Sequence, residues 1–177
     1  TGDDASDRKI DASDRKILEQ VSDRLAAGQD PEGFWKLDGE NQVGSPASYG
    51  PRLATVMARD TLRAADPFRF RVVIDRADRW IVSRAPRTID DAAVGLWGRS
   101  GTRLDADRAF RTLCLDLIRR GQNQDGGWGP FAVSASEVFD TALVLLALQK
   151  DGPPDDAGID MIRKGRAYLI ARQTDDG

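Results

Sequence analysis

Gln122-Asn123-Gln124-Asp125-Gly126-Gly127-Trp128 is the stretch on which the fold turns, because its spacing returns twice more in the chain. Gln29-Asp30-Pro31-Glu32-Gly33-Phe34-Trp35 lies 93 residues earlier, and Gln173-Thr174-Asp175-Asp176-Gly177 comes later. Each time a glycine stands four residues after the glutamine, and in the first two strings a tryptophan stands two residues after that glycine. The residues leading in agree as well. Lys164-Gly165-Arg166-Ala167-Tyr168-Leu169-Ile170-Ala171-Arg172-Gln173 aligns with Arg76-Ala77-Asp78-Arg79-Trp80-Ile81-Val82-Ser83-Arg84-Ala85, a degenerate copy in which Ala85 replaces the glutamine. Intervals of about 35 to 60 residues suit a two-helix repeat unit.

Outward from these strings the periodicity is helical. Ile17, Leu18, Val21 and Leu25 recur on one face of a first helix, with Asp11 or Ser13 as its cap and Gly28 as its stop. After a loop holding Gly39, Gly44 and Pro46, residues 51–65 place Leu53, Val56, Met57, Thr61 and Leu62 along one stripe, with Pro51 suited to the first turn. Further helices are expected over 70–84, 89–97, 105–120, 136–150 and 159–172. No alternating stretch competes as a strand, so the fold class is all-α. Helices that end at a glutamine have a polar side (Arg163, Lys164, Arg166 and Arg172 in the last) and should lie outermost. Those after a tryptophan, such as Phe139-Asp140-Thr141-Ala142-Leu143-Val144-Leu145-Leu146-Ala147-Leu148, are apolar almost all round and should be enclosed.

The string Gln122 to Gly129 followed by Asp140-Thr141-Ala142 resembles the glutamine-tryptophan repeat of the squalene-hopene cyclase, oxidosqualene cyclase and prenyltransferase superfamily. The resemblance covers nearly the whole chain from about Ser13. It implies an α/α toroid, and it implies that Gln29, Gly33, Trp35, Gln122, Gly126, Trp128, Asp140, Thr141, Gln173 and Gly177 are structural. The physics agrees: a glutamine amide can satisfy helix-terminal groups while packing on indole, and glycine lets the backbone turn with positive φ. Seven segments make about three and a half helix pairs against roughly six in the closed ring, so 13–177 is expected to be an incomplete toroid behind a polar leader over 1–12.

The chain has 177 residues and no histidine, which leaves carboxylates, hydroxyls, aromatics and Cys114 for any chemistry. Cys114 lies in the apolar run Leu113-Cys114-Leu115 and reads as core. A single cysteine forms no internal disulfide and gives no sign of an oxidising compartment. Net charge is −3, with 26 basic and 29 acidic residues dispersed along the chain, which argues against nucleic acid as a partner. The longest apolar run, 142–148, is far short of the roughly 20 residues that span a bilayer.

Proton-initiated cyclases of the superfamily resemble one another in an Asp-x-Asp-Asp-Thr-Ala string whose middle aspartate is the acid. Glu137-Val138-Phe139-Asp140-Thr141-Ala142 fills that frame but has Phe139 at the acid position. Thr88-Ile89-Asp90-Asp91-Ala92-Ala93 keeps Asp90 there, with Asp91 beside it, but lacks the first aspartate. Asp90 and Asp91 are therefore the candidate catalytic residues, and the competing reading has Asp90, Asp91 and Asp140 capping helix starts. The zinc of the prenyltransferase branch needs a histidine, so no metal and no cofactor is expected. The duplicated leader spells Asp3-Asp4-Ala5-Ser6-Asp7, a magnesium-binding pattern of another terpene synthase class, here in a polar setting without an apolar pocket. The expected function is a squalene-cyclase-like repeat domain that binds an isoprenoid or other apolar ligand, or a partner. Part of a proton-initiated isoprenoid cyclase is the alternative. Helical-toroid polysaccharide lyases also carry Gly-Gly-Trp turns and stand third. Exposed inner helices would favour self-association.

Overall fold

The computed structural model describes residues 12–36, 50–98, 105–151 and 156–174. Seven helices occupy them: α1 (Ala12–Ala27), α2 (Gly50–Ala65), α3 (Arg71–Val82), α4 (Ile89–Gly98), α5 (Asp105–Gly121), α6 (Val138–Asp151) and α7 (Asp156–Arg172). Among the described residues there is no strand, only an isolated bridge between Trp128 and Glu137. The chain is all-α, as its periodicity predicts. Asp11, Gly39, Gly44, Pro46, Gly177 and the aspartate-rich string of the leader lie outside the described residues.

The even-numbered helices form a row, with α2 against α4 and α4 against α6. The odd-numbered helices pack on that row: α1 on α2, α3 on α2 and α4, α5 on α4, and α7 on α6. Composition explains why α4 sits at the centre. Ile89, Ala92, Ala93, Val94 and Leu96 are all buried, so every side of this helix is apolar enough to be covered. Its glycines admit the neighbours closely. A Cβ on Gly95 would lie 2.7 Å from the Phe110 ring, and one on Gly98 would lie 2.5 Å from Val56. Cys114 is fully buried in the same cluster.

Two amphipathic stripes are placed differently from the sequence reading. On α1, Ile17, Leu18 and Val21 are exposed, whereas Ser22 is buried and Leu25 and Ala26 pack on the smaller cluster of Trp35, Leu62, Phe70 and Ile74. Ser13 is the second residue of α1. On α2, Met57 and Thr61 face outward, and the buried side consists of Arg52, Thr55, Val56, Ala58, Arg59 and Leu62. The apolar stems of two arginines fill space that a hydropathy reading assigns to methionine, and their charged heads find partners on α3 and α4.

Candidate functional site

Two of the glutamine strings close into the same turn. Gln29 Nε2 donates to Gly33 O (3.0 Å) and to Val73 O (2.9 Å); Gln122 Nε2 donates to Gly126 O (2.9 Å) and to Met161 O (2.9 Å). One amide thus closes its own loop and grips a carbonyl early in the next odd-numbered helix, joining α1 to α3 and α5 to α7. Trp35 Nε1 donates to Leu25 O and Trp128 Nε1 to Ile118 O, both at 2.8 Å. The tryptophan amides donate to Thr55 Oγ1 (3.1 Å) and Thr141 Oγ1 (2.9 Å) on the following even-numbered helices.

Gly33 (φ 104°) and Gly126 (φ 88°) occupy the left-handed region, and a Cβ on either would lie 2.6 Å from the carbonyl oxygen of Arg76 or Lys164. Glycine is required twice over, by dihedral and by space. The likeness continues into the helices. The Arg84 guanidinium stacks 5.3 Å from the Trp80 ring and pairs with Glu32 of its turn; the Arg172 guanidinium stacks 4.9 Å from the Tyr168 ring near Asp125 of the other.

Thr55 is the residue of this set that the sequence reading misses. It stands 20 residues after Trp35, whereas Thr141 stands 13 after Trp128, and the unequal loops hide the correspondence. The acceptors Val73 and Met161 serve through backbone carbonyls, which carry no side-chain signature. Gln173 is exposed at the end of α7, and the remainder of its string, Gly177 included, lies outside the described residues. Replacing Gln122 by alanine removes two bonds from one half-buried amide, an expected loss of about 1–3 kcal/mol. Faster hydrogen exchange confined to α7, relative to α4, would be the local signature of that change.

The aspartates gather at the starts of α4 and α6. Thr88 caps α4, its Oγ1 accepting from Asp91 N (3.0 Å). Asp91 accepts from Arg87 N (3.0 Å) and forms an ion pair with Arg52 Nε at 2.5 Å, while Arg52 also donates to Ile81 O and to Arg84 O (2.9 Å). That pairing holds Asp91 as a counter-ion. Asp90 and Asp140 are enclosed, at 8% and 2% exposure, and their side chains hydrogen-bond to each other. Asp90 Oδ1 and Asp140 Oδ2 remain buried without a partner.

Burial, more than any neighbour, pushes Asp90 up to about 8, reinforced by the bond to Asp140 and by the charges of Asp140, Glu137 and Asp91. Burial also raises Asp140, opposed by its bond with Asp90. The structure therefore unites Asp90 with Asp140, fifty residues away, and separates it in role from its neighbour Asp91. A buried carboxyl that is neutral near pH 7 can donate a hydrogen bond or a proton.

Phe139, beside Asp140 in the first turn of α6, is exposed. A cleft of about 640 Å3 opens between the starts of α2 and α4 and the end of α3, lined by Pro51, Arg52, Trp80, Arg84, Ala85, Arg87 and Asp91. Among the described residues no three acidic or thiol groups converge as a metal set. No described helix is long and apolar enough to cross a membrane. Against known proteins, no family model matches the chain, and no curated protein matches it.

Proposed function

We propose that this chain is a repeat module of the squalene-cyclase-like α/α-toroid kind, and that it binds an apolar ligand or partner along its even-numbered helices. The observation that carries this reading is the pair of matching Gln-Gly-Trp turns, each linking successive odd-numbered helices through one glutamine amide. One side of α6 bears Leu146, which is exposed, and Phe139 is exposed at helical spacing from it. An isoprenoid chain fits such a stripe by dispersion and desolvation, without a cofactor or a metal.

The test is titration of the chain with squalene and with a fluorescent apolar probe, against Leu146→Glu. Saturable binding that Leu146→Glu weakens tenfold or more supports the module, since placing a carboxylate in the stripe costs more than about 1.4 kcal/mol. Equal binding by both proteins places the ligand elsewhere. Light scattering on the same pair measures self-association through this face, which Leu146→Glu should abolish.

A second reading, part of a proton-initiated isoprenoid cyclase, is favoured by one observation: the enclosed carboxyl of Asp90, raised by its burial, at the frame position of the acid. Turnover of a squalene-type substrate that Asp90→Asn abolishes would support it. Binding without turnover leaves the module.

A further inference from the structure

The third residues of the three even-numbered helices are Arg52, Asp91 and Asp140. Between α2 and α4 this arrangement is balanced, because the Arg52 guanidinium meets the Asp91 carboxylate at 2.5 Å. The next joint repeats the acid without the base. Asp140 of α6 is faced from α4 by Asp90, another acid, and each keeps one buried oxygen without a partner. Two ionised carboxylates in contact and out of water would repel strongly, so the contact needs a positive charge or a proton. Among the described residues no cation supplies it. Glu137 from the α6 side and Asp91 from α4 itself add negative charge, Arg52 of α2 is held by Asp91, and α3 and α5 contribute no charge to Asp90 among the described residues.

We propose that a proton shared by Asp90 and Asp140 joins α4 to α6 in the role that Arg52 plays between α2 and α4, making this joint a pH-operated latch. The inference does not depend on ligand binding or turnover. Its sign follows from linkage. The folded chain keeps a proton on Asp90 up to about pH 8, whereas an unfolded aspartate loses it near 3.8, so unfolding releases a proton between those values. The latch's contribution to stability is complete below about pH 4 and is lost as pH rises towards 8. The carboxyls whose values are lowered, Asp30, Asp125 and Asp160, titrate below their ordinary 3.8 and leave this window clear.

The experiment is the thermal unfolding midpoint of the whole chain from pH 5 to 9, for the natural protein, Asp90→Asn and Asp140→Asn. Asparagine keeps a donor in the joint and carries no charge. The natural chain should lose midpoint steadily up to about pH 8 and then level. Asp90→Asn should start near the natural midpoint at pH 5, stay flatter, and exceed it at pH 8; Asp140→Asn should also flatten the profile. Parallel profiles for all three proteins would overturn the latch. Should the variants fail to fold, infrared titration of the natural chain decides: a protonated-carboxyl C=O band at pH 7 that disappears above pH 8 is expected, and its absence at pH 7 overturns the proposal.

Discussion

Trp128→Ala should lower the stability of the chain by about 3–5 kcal/mol, a large part of what a domain of this size possesses. The indole is fully buried in the main cluster, its Nε1–H is spent on Ile118 O, and its ring fits against Gly165, where even a Cβ would come within 2.6 Å of it. Alanine would leave a cavity between α5, α6 and α7 and would strand the Ile118 carbonyl. Thermal unfolding should shift down by on the order of 10 °C. Trp128→Phe separates the terms: it keeps most of the apolar contact and loses the hydrogen bond, so it should cost roughly 1–3 kcal/mol. Trp35→Ala should cost less than Trp128→Ala, because Trp35 keeps some exposure and belongs to the smaller cluster. Equal losses at the two tryptophans would mean that the clusters melt as one unit.

Asp78→Ala is expected to cost about 3 kcal/mol or more, because it strips the main counter-ion from a wholly enclosed guanidinium. Arg59 has no exposed side-chain surface; its Nη1 donates to Asp78 Oδ1 (2.5 Å) and Gly98 O (2.6 Å), and Nε has no partner. Asp60 approaches Nη2 to 2.9 Å but is not aligned to accept a hydrogen bond, so it offsets charge without satisfying the donor. Asp78 also holds Arg63 at 2.9 Å, which ties α2 to α3 a second time. The double change Arg59→Met with Asp78→Ala removes the stranded charge and should recover much of the loss. Urea midpoints of the single and double variants measure this. A double variant no more stable than Asp78→Ala would show that the arginine stem, rather than its charge, is what the site needs.

The staples were legible because their chemistry is local. A glutamine, a glycine four residues on and a tryptophan two beyond that lie within one turn, so spacing alone singles out Gln29, Gly33, Trp35, Gln122, Gly126 and Trp128. Asp90, Asp91 and Thr141 were legible as residues at helix starts, but their partners were not. Asp91 is held by an arginine 39 residues earlier, and Asp90 meets an aspartate 50 residues later. Thr55 matches Thr141 only after a loop difference of seven residues is removed, which no fixed-period comparison allows for.

By itself the sequence determined the helical class, the number and order of the described helices to within a few residues at their ends, and the turns that must carry glycine and tryptophan. These follow from steric and hydrogen-bonding demands acting over a handful of neighbouring residues. The tertiary structure alone decided which stripe of each helix is covered. Ile17, Leu18 and Val21 of α1 stay exposed, and Arg52 and Arg59 go inside because α3 and α4 bring carboxylates and carbonyls to meet them. It also decided that the Asp90 carboxyl is pushed up to about 8. Ionisation in the interior depends on what surrounds a group in space, and the second acid that faces Asp90 reaches it only when α6 is laid against α4.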